Sequence, residues 1–332
     1  MLLAGDIGGT KTVLGLFSEE FGPHNPLAIE RYPSSDFLTF EDLVSNFLAK
    51  HQAAPEAAAI GVAGPVRDNR AAGANLPWAV DKKTLTSCLD GIAVHLLNDL
   101  ESIAMAVPTL QPEDIEIIKP GKQLEKGPIA IIAPGTGLGE AFLFWDGSRY
   151  RPIPSEGGHT DFAPATAEEL ALLGYLQKKY QHVSYERVCS GIGIPNIFDF
   201  FRETNRFPVP KWLEKALGDS EDWTPIIVDS AIAGTAEICQ ATLSMFLGIL
   251  GSEAGNLALQ ILATGGVYLA GGIPPRILPQ LKNDIFLNAF TRKGRLSDIL
   301  WHVQINVITN PLAAIYGAAS YGLWKVNSAA VV

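Results

Sequence analysis

The chain has 332 residues, 47% of them hydrophobic, and a formal net charge of −10. That length exceeds what one growing core usually serves, so two domains are expected. The acidic balance (pI ≈ 5.1) and the lack of a compact Lys/Arg run argue against a nucleic-acid partner. Small anions stay open, since glycine-turn amides and bound magnesium hold phosphate without a net positive surface. Cys88, Cys189 and Cys239 have no CxxC spacing and read as buried thiols of a reducing compartment. Asp6 and the glycines after it interrupt the N-terminus, unlike a signal peptide, and no run of roughly 18 apolar residues marks a membrane span. The apolar stretch Ile226–Ile273 is broken by Asp229, Glu237, Gln240, Glu253 and Gln260, which favours buried helices.

In chain order, apolar alternation predicts a strand at Leu2–Asp6, a glycine turn and a returning strand at Thr12–Phe17, together a hairpin. Glu41–His51 has the spacing of an amphipathic helix. Ala57–Val62, ending in Gly64-Pro65, reads as a buried strand, and so does Ile92–Leu97, which runs through Asn98-Asp99 into a helical pattern at Leu100–Val107. Strands alternating with helices make an α/β layer. The proline- and charge-rich stretch Pro108–Pro120 is the expected boundary. Beyond it, Ile129–Ala133, a turn at Gly135–Gly139 and Glu140–Trp145 repeat the strand–turn–strand pattern of the N-terminus. Two such halves facing each other would put both turns at one cleft. Pro311–Gly322 reads as a closing helix that packs back on the first domain.

Five stretches carry candidate chemistry. In Gly5-Asp6-Ile7-Gly8-Gly9-Thr10 the paired glycines permit positive φ, so amides face phosphate oxygens while Asp6 holds magnesium through water; an ordinary tight hairpin is the alternative. Pro134-Gly135-Thr136-Gly137-Leu138-Gly139-Glu140 is GxGxG, not GxGxxG, and a strand follows where a dinucleotide fingerprint needs a helix. No GxxxxGK[ST] is present. Asp99, where a strand meets a helix, suits either a base accepting a hydroxyl proton or an N-cap. Ser155-Glu156-Gly157-Gly158-His159 together with Glu186 offers the mixed donors and acceptors that sugar hydroxyls need, although solvated surface acids fit the same letters. One histidine among scattered acids is poor evidence for zinc. Val267–Ile273 is an apolar strand ending in Gly271-Gly272, where a nucleoside or a plain turn fits.

In this order GDIGGT, GPV at 64–66, Asn75 to Trp78, LLNDL at 96–100, GTGLG, EGGH, YERVCSGIG and LAGG resemble the bacterial glucokinase family, within the actin-like, hexokinase-like ATPases. The resemblance implies two actin-like, ribonuclease H-like α/β domains flanking a cleft: residues 1–108 joined by the closing helix 310–332, and residues 109–309. It implies Asp99 as general base, with Asn98, Asn75, Glu156, His159 and Glu186 on the sugar. Gly5 to Thr10, including Ile7, and Gly135, Thr136 and Gly137 would enclose the phosphates of ATP. Gly271 and Gly272 would lie near adenosine, and Asp6 would serve Mg2+. A cytoplasmic homodimer acting on glucose and ATP, with no nucleic-acid or membrane partner, completes the expectation. Lys11-Thr12 is closer to the ROK sugar-kinase group, but the cysteine cluster typical of that group is absent and no winged-helix segment precedes Asp6. Kinases of other hexoses or N-acetylhexosamines, and a non-catalytic sugar sensor, share enough of this pattern to stand as alternatives.

Overall fold

Apolar strands and glycine turns assemble into two α/β units in the computed structural model, which describes residues 1–64, 66–71, 76 and 78–329. One unit is Met1–Asp114 with Tyr150–Pro152 and Asn310–Val332. The other is Ile115–Arg149 with Ile153–Thr309.

The first unit contains β1 (Leu2–Ile7), β2 (Lys11–Phe17), β3 (Ala28–Pro33), β4 (Ala57–Val62), β5 (Val66–Arg67), β6 (Arg70–Ala71), β7 (Val80–Asp81) and β8 (Ala93–Asn98). Its main sheet, among the described residues, runs β3-β2-β1-β4-β8. β1, β4 and β8 are parallel, while β1–β2 and β2–β3 are antiparallel. Both faces are covered, which is why β4 reads as an unbroken apolar run. Leu3, Ile7, Ala58 and Ile60 face a core built with the helix Phe40–His51. Leu2, Ala4, Ala57 and Ala59 face Ile315, Ala318 and Ala319 of the closing helix Ala313–Ala329. That helix also crosses the helix Asp99–Ala106 so closely that a Cβ at Gly317 would collide with the Ser102 carbonyl.

The second unit contains β9 (Ile115–Lys119), β10 (Ile129–Pro134), β11 (Leu138–Trp145), β12 (Tyr150–Ser155, whose first half groups with the other unit), β13 (Val267–Leu269) and β14 (Ile305–Ile308). The sheet order is β12-β11-β10-β13-β14-β9 among the described residues. β10–β11 is antiparallel, and β10–β13 and β13–β14 are parallel, so the strand order of the first unit recurs. Its core is organised by the helix Glu237–Ile261, in which most residues are buried.

The division between the units falls inside Pro108–Pro120, at Asp114–Ile115, and that stretch also has structure of its own: β9 lies in it, antiparallel to β14, and Asp114 anchors Asn310 through a 2.6 Å hydrogen bond. Two expectations are corrected. Cys88 is exposed, because it ends a short surface helix, whereas Cys189 and Cys239 are buried. The glycine pair Gly8-Gly9 does not use positive φ. No single helix among the described residues is long and apolar enough to cross a membrane.

Candidate active site

In the first unit, the parallel register aligns Ile7, Val62 and Asn98 across β1, β4 and β8. Three strands therefore end together, and the carboxyl ends of such strands are where open α/β sheets bind ligands. Asp6 sits one residue before that edge and Asp99 one residue beyond it. Asn98 takes the capping role: its side chain accepts the Glu101 amide, and Glu101 Oε2 accepts the Asn98 amide at 3.1 Å. Asp99 is thereby the first helical residue rather than the cap, and its side chain is exposed.

The two acids feel each other. Burial, then the negative charge of Asp99, pushes the Asp6 carboxyl up to about 6, against the pull of the Arg31 guanidinium. Arg31 reaches it along a cross-strand row, since Asp6 pairs with Val13 and Val13 with Arg31. Asp99 is also raised, chiefly because neighbouring protein displaces its water although the residue remains open to solvent. The backbone N–H groups of Leu100 (2.9 Å) and Gly64 oppose the rise.

The first glycine turn is closed by Gly8 N–H donating to Lys11 O at 2.9 Å, and Ser34 N–H donates to Thr10 O at 3.0 Å. Thr10 and Gly9 are exposed. Gly5 lies inside β1, and the Ile7 side chain is in the core with its carbonyl accepting from Ala63, so neither presents a free group to a ligand. Asn75 lies outside the described residues.

In the second unit the turn between β10 and β11 is braced from outside. Gly191 N–H donates to Gly135 O at 2.7 Å and Ile192 N–H to Thr136 O at 3.3 Å. Glu186 Oε2 accepts the Leu138 amide at 3.1 Å and covers Gly137 so closely that a Cβ there would collide with it. Part of the Glu186 carboxylate is thus already engaged, which its sequence context did not reveal. Gly271, at φ 81, folds against the Pro134 carbonyl, where a Cβ would lie 2.6 Å away; Gly272 faces open space. Both stand beside the Gly135–Gly137 turn.

Glu156 and His159 flank the single turn Gly157–His159, and both are exposed. The chain after them is zipped to the segment before Glu186: Tyr185 N–H donates to Thr160 O at 3.1 Å and Phe162 N–H to Val183 O at 2.9 Å. Glu156, His159 and Glu186, far apart in sequence, are brought onto paired segments. Two residues not predicted for the site adjoin them, Glu140 and Glu253, both buried acids. A charged residue inside the apolar β11 was the available signal for the first.

Residues 3–323 match the family profile described as Glucokinase. The glucokinase of Trichormus variabilis is 40% identical over 335 aligned positions, covering 96% of this chain and 98% of that protein. A solved glucokinase from an Antarctic psychrotroph gives a TM-score of 0.83 at 30% identity, covering 96% of this chain and 98% of that one. A ROK family glucokinase from Streptomyces griseus, solved with glucose and AMPPNP, gives 0.63 at 20% identity over 97% and 98% of the two chains, a likeness of fold. The repeated strand order and the glycine turns accordingly define a sugar kinase of the actin-like ATPase fold. Within that class, the chain belongs to the glucokinase family. The ROK-like pair Lys11-Thr12 does not move it elsewhere.

Proposed function

We propose that this protein transfers the γ-phosphoryl group of ATP to the 6-hydroxyl of glucose, giving glucose 6-phosphate. The observation that carries the reading is the freed carboxylate of Asp99: Asn98 caps the helix, so Asp99 stands open beside Asp6 with its basicity raised. Asp99 takes the proton of the sugar hydroxyl as the new O–P bond forms and the bond to the β-phosphate bridging oxygen breaks. Glu156, His159 and Glu186 hold the other hydroxyls, with the Asn98 amide nitrogen and Asn75. The free oxygen of Glu186 serves here, since the other accepts Leu138. Amides of Gly9 and Thr10 and of Thr136 and Gly137 hold phosphates, those of Gly8 and Gly135 closing the two turns, and Gly271 and Gly272 accommodate adenosine. The same fold holds glucose and AMPPNP in the Streptomyces griseus enzyme.

Asp6 fits magnesium through water: it is a hard oxygen donor, makes no hydrogen bond among the described residues, and is repelled by a second carboxylate. No group of three His, Cys, Asp or Glu side chains that would hold a metal outright occurs among the described residues. When bound, the ion offsets charge on the transferred group. The reading includes a cytoplasmic location, supported by three free thiols, and a homodimer, for which light scattering is the check.

A coupled assay for ADP release over glucose, mannose, N-acetylglucosamine and N-acetylmannosamine tests the proposal. Glucose is expected to give the highest kcat/KM. Preference for an N-acetylhexosamine would reassign the substrate, and sugar binding without ADP release would make the protein a sensor.

A further inference from the structure

A buried acid cluster lies beneath the segments that carry Glu156 and Glu186, and the proposed chemistry does not use it. Glu140 lies on β11, opposite Ile132, and is 1% exposed. Its Oε2 fills the space over Gly157, where any Cβ would collide with it, and its Oε1 is buried with no hydrogen-bond partner among the described residues. The second acid, Glu253 on the helix Glu237–Ile261, accepts from Asn256 Nδ2 at 2.8 Å and hydrogen-bonds the Tyr185 hydroxyl. Asn256 Nδ2 also reaches the Tyr185 hydroxyl at 3.1 Å. Lys293 donates to Asn256 Oδ1 at 2.6 Å and to Ser252 O at 2.9 Å.

Of the two acids, only Glu253 is offset by this ammonium, which is also drawn toward Glu169. Burial raises the Glu253 carboxyl, and Asn256, Tyr185 and Lys293 pull against that rise. Glu140 has no such partner; burial and the charge of Glu253 push it up to about 8. The other titratable group coupled to Glu140 is the buried Cys189 thiol, itself raised well above its usual range by burial and both acids. Glu156 and His159, on the turn that covers Glu140, point no buried charge at it, being exposed.

We propose that Glu140 is a positioning residue for sugar recognition: packed against Gly157, it supports the turn bearing Glu156 and His159, while the neighbouring Glu253 holds Tyr185 beside Glu186. The inference rests on the reading that Glu156 and Glu186 bind glucose. Losing the Glu140 proton places a second negative charge next to Glu253 with no second cation among the described residues, and the Gly157 turn must shift or admit water to relieve it.

The test is calorimetric glucose binding to the full chain between about pH 6.5 and 9.5, for the parent, E140Q, E140A and E156Q. Above its ionisation the parent's Kd is expected to rise roughly tenfold per pH unit. E140Q, which keeps the shape without the ionisation, is expected to bind at pH 7 within about threefold of the parent and to show no alkaline limb, while E140A weakens binding by about tenfold at pH 7. A flat parent profile, or an alkaline limb retained in E140Q, overturns the inference. Unchanged glucose binding by E156Q, or no glucose binding by the parent at any pH, instead overturns the reading beneath it, and the inference falls with it. Should E140A fail to fold, E140Q still decides.

Discussion

The hairpin β1–β2 and the hairpin β10–β11 occupy the same place in their sheets and both turn on glycines, yet they are braced differently. Among the described residues, the first turn is tied by backbone and Ser34 alone, and the acids beside it, Asp6 and Asp99, meet no basic side chain closer than the row that brings in Arg31. The second is clamped by a side chain, Glu186, by the amides of Gly191 and Ile192, and by Gly271. One backbone device therefore serves two ends. At the first turn burial, and for Asp6 the facing Asp99 carboxylate, keep proton affinity raised, which suits proton transfer; at the second, Glu186 is held by an amide and fixes geometry, which suits recognition.

The contrast breaks most visibly at Asp99. Asp99→Asn is expected to lower kcat by about 10²–10⁴-fold with glucose binding little changed, because the base is lost and the shape kept. Near-normal turnover in single-turnover kinetics would place the base elsewhere. On the clamped side, Gly271→Ala is expected to cost about 1–2 kcal/mol from its left-handed backbone alone, with further loss from the Pro134 carbonyl, and to raise KM for ATP. Gly272→Ala, beside it but facing open space, should stay within about 0.5 kcal/mol, so thermal melts of the pair separate strain from contact. Glu156→Gln should weaken glucose affinity about tenfold while kcat changes less, read as a KM-against-kcat split.

The smallest effect sharpens the picture of the first turn. An acid with its ionisation raised to about 6 is mostly protonated below that pH and mostly ionised above it. If Asp6 holds magnesium, the apparent magnesium affinity at pH 5.5 should be about fourfold weaker than at pH 7, and Asp6→Asn should remove that dependence. An unchanged magnesium titration across this window would discard the role.

Much of this was legible in the letters. Ala57–Val62 is found as read, because a parallel strand covered on both faces needs no alternation. The junction of strand and helix at Asn98-Asp99 was visible too, but which residue caps was not: both are good caps, and only the Glu101 side chain returning to the Asn98 amide decides it. β9 was hidden because it is an edge strand, with Ile117 about half exposed, set among prolines and charges that resemble a linker. The Gly8-Gly9 pair suggested left-handed backbone that the hairpin does not adopt. Glu253 read as an interruption of an apolar run and Glu140 as the start of a strand; what the letters did not show is that a lysine from far along the chain offsets Glu253 and not Glu140.

The crossing at Gly317 has a consequence for how the molecule comes to life. The helix bearing Asp99 is made well before the surface it packs on, Ile315 to Ala319. Until Ile315 to Ala319 are made, one face of the nascent first sheet stays bare and apolar, so the strand ends that carry Asp6 and Asp99 settle only after the second unit has been synthesised.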